Sequence, residues 1–146
     1  MSRIKVVLIT GASRGIGRAI AKRFASKDTD LVVTHSGSDL SVMSGLGDEL
    51  TPLCHTFEAQ RFSVSDAKMA AEAVSEIIKT YGRLDVLVNN AGITRDGLCV
   101  RMGDEDFSEV IDVNLKGAFN LCRAAARPMM KQRYGRIINV SSVVAF

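Results

Sequence analysis

An apolar run, Ile4-Lys5-Val6-Val7-Leu8-Ile9, leads directly into Thr10-Gly11-Ala12-Ser13-Arg14-Gly15-Ile16-Gly17, and a helical pattern opens near Gly15. No other feature of the chain limits its fold so sharply. A strand, a glycine-rich turn and a helix in that order build an anion site. The glycines let the backbone approach a phosphate, and the N–H groups of the helix start point at it. A glycine triplet alone carries little weight; its place directly after the first buried strand gives it force.

Beyond that turn, strand-like and helix-like runs alternate, the pattern of an α/β doubly wound parallel sheet. Strands are expected at Ile4–Ile9, Asp30–Thr34, Leu84–Val88 and Gly135–Val140, with one more between Leu53 and Val64. The first helix is expected from about Gly15 to Ser26, and a second from Asp39 to Leu50, weakened by Gly45 and Gly47. Met69, Ala73, Ile77 and Tyr81 recur at helical spacing, with Ser65 or Asp66 as the cap and Gly82 as the stop. A long helix is expected from about Asp104 to Gln132, its end bent by Pro128. Its apolar stripe reads Phe107, Ile111, Ala118, Leu121, Cys122, Ala125 and Met129. Asn114 falls inside that stripe, where an unpartnered polar group costs about 1–3 kcal/mol, so it must find a partner.

Composition excludes several classes. Nineteen Lys and Arg against sixteen Asp and Glu leave a formal charge of +3, too mild for a nucleic-acid surface. The basic cluster from Lys131 to Arg136 suits the end of a helix dipole. No apolar run reaches the roughly 18 residues of a membrane span. Cys54, Cys99 and Cys122 are far apart and have no zinc-ligand spacing, so no metal is expected. They read as reduced thiols of a cytoplasmic protein, Cys122 as core packing.

Ligands of open parallel sheets bind at the carboxyl ends of the strands. Three clusters fall at such ends: Gly11 to Gly17, Asn89-Asn90-Ala91-Gly92, and Ser141-Ser142. With Asn114, this set resembles the short-chain dehydrogenase/reductase family, over essentially the whole chain and in the family's order. Two stretches, Gly92-Ile93-Thr94-Arg95-Asp96-Gly97 with Arg101-Met102 and Gly135-Arg136-Ile137-Ile138-Asn139-Val140, look most like its 3-oxoacyl-[acyl-carrier-protein] reductases.

The resemblance implies a Rossmann domain of strand order 3-2-1-4-5, breaking off after strand five, and NADPH-dependent reduction of a ketone to a secondary alcohol. Gly11, Ala12, Ser13, Arg14, Gly15, Ile16 and Gly17 would wrap the pyrophosphate and adenosine end, with Arg14 pairing to the 2′-phosphate. NAD-preferring folds place an acid near the end of strand two. Thr34-His35-Ser36 stands there instead, and no acid follows until Asp39, which favours NADP(H). Ser36 tolerates the extra phosphate; His35 is either a solvated turn residue or a phosphate contact. Asn90, Ala91 and Gly92 would line the floor beneath the ribose and nicotinamide. The family usually carries Asp or Asn where Ser63 stands, meeting the adenine amino group, so Ser63 is a departure, while Val64 keeps its backbone contact. Asn114 would break its helix so that a main-chain carbonyl holds a water of the proton relay. Ser142 would hydrogen-bond the substrate carbonyl.

The family's general acid is the tyrosine of a Tyr-x-x-x-Lys motif beyond the serine, its pKa lowered from about 10 by nearby positive charge. Tyr81 and Tyr134 are followed four residues later by Asp85 and Ile138, so neither supplies that motif. The sequence is therefore expected to be the cofactor-binding part of a protein of about 240 to 250 residues. The substrate would be an acyl-carrier-protein thioester, with Arg133 docking the acidic carrier, and the protein a homotetramer in the cytoplasm, or in a plastid or mitochondrion after removal of a targeting segment. Two alternatives stand beside this: a reductase of sugars, steroids or small ketones, and a non-catalytic dinucleotide-binding module.

Overall fold

The computed structural model describes residues 3–37 and 40–142. Five parallel strands, β1 (Lys5–Ile9), β2 (Thr29–His35), β3 (Thr56–Arg61), β4 (Val86–Asn89) and β5 (Arg136–Asn139), form one sheet in the order β3-β2-β1-β4-β5. The helices are α1 (Gly15–Phe24), α2 (Leu40–Leu50), α3 (Ala67–Tyr81), α4 (Asp104–Ile111) and α5 (Gly117–Lys131). Asp39, the expected start of the second helix, lies outside the described residues.

Strand alternation builds two cores. Val6 and Leu8 face one way, onto Val74 and Ile77 of α3 and Leu121 and Ala125 of α5. Val7 and Ile9 face the other way, with Leu31 and Val33, onto Ala21 of α1 and Leu46 of α2. β2 is buried along its whole length because β1 and β3 flank it. It is longer than expected, taking in Thr29 and His35. His35 is 5% exposed and closes the strand, which excludes the solvated-turn reading. The outer strand β5 is exposed throughout.

Asp66, not Ser65, caps α3, its carboxylate accepting the amides of Lys68 at 2.9 Å and Met69 at 3.0 Å. Gly82 ends α3 in a left-handed conformation with φ 74. At the amino ends of the strands, Asp85 is 1% exposed and bonded to the Arg83 guanidinium. It also accepts the Val6 amide at 2.9 Å. Burial pushes the Asp85 carboxyl up, but Arg83 and the Val6 amide outweigh it and hold it below the usual carboxylate range.

The single helix expected from Asp104 to Gln132 is interrupted by a π turn at Asp112–Lys116, between α4 and α5. One extra residue in that turn rotates everything after it about the helix axis. The apolar stripe therefore splits. Leu121, Ala125 and Met129 stay buried, whereas Phe107 is 59% exposed and Ile111 39%. Pro128 lies within α5, which ends soon after it at Lys131.

Candidate functional site

β1 brings Thr10 to the carboxyl rim of the sheet. Thr10 is buried, and its hydroxyl accepts the amides of Asn90 and Ala91, each at 3.0 Å, while donating to the Val88 carbonyl at 3.4 Å. Asn90 returns the connection. Its Nδ2 donates to the carbonyls of Thr10 at 3.0 Å and Gly11 at 3.1 Å. The glycine-rich turn and the loop after β4 are thereby tied to each other.

At Gly11 and Gly17 the turn has no room for larger residues. Gly11 has φ 67, and a Cβ there would stand 2.8 Å from the Ala91 Cα. At Gly17 a Cβ would collide with the Gly11 carbonyl and the Asn90 amide. Arg14 occupies the cap position of α1 in extended backbone. Among the described residues no side chain caps α1, and its first turn holds no acid. The positive end of the helix dipole is thus left for an anion.

Two adjoining cavities of 630 and 900 Å³ share the walls made by Arg14, Ile16, Val64 and residues 90–93, and form one groove along this rim. Gly11, Ser13, Gly15, Gly17, Ser36 and Ser63 line the first cavity. Asn114 and Ser142 line the second. Ala12 lines neither; its methyl is packed in the core and its amide bonds the Thr34 carbonyl at 3.1 Å. Ser63 Oγ lies 2.8 Å from Ser65 Oγ.

Asn114 sits in the π turn and reaches across to the loop after Gly92. Its Oδ1 accepts the Ile93 amide at 2.8 Å, and its Nδ2 donates to the Ile93 carbonyl at 2.9 Å. Its partner is that loop, not its own helix. Glu109 is the acid lining the first cavity, and Arg95 pairs with it at 2.7 Å. Arg133 is exposed, in a left-handed conformation with φ 53, and precedes β5. Ser142 follows β5, so the two stand at opposite ends of a strand about 13 Å long.

Several functional side chains escaped sequence reasoning. Thr10 was read only as the turn's first letter, although a Thr closing a buried strand is a signal for hydrogen bonding. Asn120 gave no signal; it is buried and donates to the carbonyls of Val64 at 3.1 Å and Ser65 at 3.3 Å, fixing the end of the groove beside Ser63. Cys122, expected in the core, is half-buried and accepts Asn89 Nδ2 at 3.3 Å. No group of His, Cys, Asp and Glu that could hold a metal occurs among the described residues. No helix among them is long and apolar enough to cross a membrane.

Residues 5–146 match the short chain dehydrogenase family, and the chain belongs to it. It is 43% identical to the 3-oxoacyl-[acyl-carrier-protein] reductase FabG of Staphylococcus aureus over 144 residues, 99% of this chain and 58% of that one. The reductases of the same name from Thermotoga maritima and Escherichia coli are 45% and 40% identical, over 96% of this chain in each case. The chain spans 56% and 55% of their lengths. A crystal structure of a short-chain dehydrogenase from Streptomyces avermitilis superposes with a TM-score of 0.86 at 29% identity, covering 97% of this chain and 50% of that one.

Proposed function

We propose that this chain carries the cofactor-binding part of an NADPH-dependent reductase, which converts a 3-oxoacyl group held as an acyl-carrier-protein thioester to its 3-hydroxyacyl form in fatty acid synthesis. One observation carries this reading: a single groove gathers the glycine-rich turn, the Asn90–Gly92 loop, Asn114 and Ser142. The residues fit the dinucleotide. Gly11 and Gly17 let the turn close tightly on Ala91 and Asn90, and the uncapped start of α1 would receive the charge of a pyrophosphate. Arg14 lines the groove, where it would meet a 2′-phosphate, and the acid Glu109 of the same cavity is paired with Arg95. When bound, NADPH supplies the hydride.

The protein's own residues orient the reaction. Gly92 and residues 90–91 floor the nicotinamide end. Ser142 donates a hydrogen bond to the ketone oxygen and stabilises the charge that grows there. Asn114 holds the π turn against Ile93, where a main-chain carbonyl takes a relay water. The proton donor of the resemblance, the Tyr of Tyr-x-x-x-Lys, is not among these 146 residues. Tyr81 is no substitute, since it bonds Glu58 at 3.0 Å beside β3. Arg133, at the far rim, docks the body of the acidic carrier rather than its thioester. The exposed face carrying Phe107, Leu115 and Phe119 takes a second copy in a homotetramer, and the protein works in the cytoplasm.

The test is turnover by the protein at its natural length. NADPH should be consumed with a 3-oxoacyl thioester on carrier protein, faster than with a free ketone of the same size. No oxidation of NADPH with either substrate overturns the reading.

A further inference from the structure

We infer that Ser63 reads the 6-position of the bound purine without preference, accepting a 6-keto group as readily as the 6-amino group of adenine. The inference rests on the dinucleotide reading of the groove. The start of α1 fixes the pyrophosphate, and the wall at Ser142 and Gly92 receives the reacting ring. The base must then lie at the other end, where β2 and β3 finish in Ser36, Phe62, Ser63 and Val64.

Two polar side chains near that end are already engaged. The Asp66 carboxylate holds the amides of Lys68 and Met69. The Asn120 amide holds the Val64 and Ser65 carbonyls. Ser63 is half-buried and has one partner of its own kind, the Ser65 hydroxyl at 2.8 Å. Such a pair reverses its direction at little cost. With Ser63 donating to Ser65, its lone pairs accept from an exocyclic amine. With Ser65 donating to Ser63, the Ser63 proton is free to donate to a keto oxygen. A carboxylate at this position can only accept, and would favour the amine and repel the ketone. A site built around one hydrogen-bonding pattern rejects the analogue that lacks it; a reversible hydroxyl pair does not.

Calorimetry on the natural-length protein tests this with NADP⁺ and its hypoxanthine analogue, in wild type, Ser63→Ala and Ser63→Asp. The quantity read is the ratio of the two dissociation constants. Wild type and Ser63→Ala should share one ratio within about threefold, and Ser63→Asp should shift it about tenfold or more toward the adenine form. A tenfold change in ratio on Ser63→Ala overturns the proposal, because Ser63 would then be discriminating. So does a wild-type ratio as steep as that of Ser63→Asp. Absence of binding by either dinucleotide overturns the cofactor reading together with the proposal, whereas tight but selective binding overturns the proposal alone.

Discussion

Asn114 and Ile93 are joined by a two-bond clamp, side-chain amide to main-chain amide, at 2.8 and 2.9 Å. A helical side chain here imitates a strand neighbour for the loop that follows β4. The π turn and the clamp are one device: the extra residue aims Asn114 at the loop, and the loop fixes the turn. Asn114→Ala should cost about 1–2 kcal/mol in urea unfolding, since solvent replaces part of both bonds. Turnover of the natural-length protein should fall more steeply than NADPH affinity. Asn114→Asp keeps the acceptor and loses the donor, so it should lie between the two. A variant with unchanged stability and unchanged turnover would remove any role for the clamp.

Thr10→Val is nearly isosteric and leaves the Asn90 and Ala91 amides without their acceptor. Its expected cost is about 2–3 kcal/mol, with NADPH binding weakened because the two loops lose their tie. Thr10→Ser keeps the hydroxyl and should restore most of both. A loss in Thr10→Ser with none in Thr10→Val would point to packing of the methyl instead.

Gly15 and Gly17 separate strain from collision. At Gly15 a side chain would meet nothing, so Gly15→Ala pays for the left-handed backbone alone, about 1–2 kcal/mol. Gly17→Ala must push the Gly11 carbonyl and the Asn90 amide apart. Dinucleotide affinity should therefore drop far more for Gly17→Ala than for Gly15→Ala, as read by fluorescence titration.

Asp85 predicts an acid limb. Its folded-state pKa is held below the unfolded value, so its contribution is fully present above about pH 3.9 and is lost as pH falls through the lower folded value. Chemical denaturation across acidic pH should show this decline, and Asp85→Asn should blunt it. The same variant should cost about 3 kcal/mol at neutral pH, because the largely buried Arg83 loses its counter-charge.

The face of α4 and α5 predicts assembly. Phe119 is 57% exposed, with the Arg123 guanidinium 5.1 Å above its ring. Phe119→Glu should leave monomer stability within about 0.5 kcal/mol, as a surface change does, yet lower the mass measured by light scattering. An unchanged mass would move the interface elsewhere.

The glycine-rich turn and the position of the rim could be read in the sequence, because buried parallel strands are apolar runs and their carboxyl ends are where polar clusters gather; the strand order came from the family resemblance. β3 was the least legible strand. Its sequence, Thr56 to Arg61, is polar because it lies at the sheet edge, and Glu58 is occupied by Tyr81 and Gln60. His35 looked like a loop residue because burial in a strand end is invisible to polarity. The split of the long helix changes no composition; Asn114, polar within an apolar stripe, marked the place, and the family resemblance read it as a break. Asn90 was read only as a floor for the ligand; its amide also grips the carbonyls of Thr10 and Gly11. That role depends on two segments meeting across eighty residues of chain, which spacing alone does not reveal.

The knot between Thr10 and Asn90 has a kinetic corollary. Two peptide stretches stitched at five points to one another and to Val88 breathe as a unit, so deuterium should enter both at a common pace. Occupancy at either extremity would then slow that entry along the entire seam.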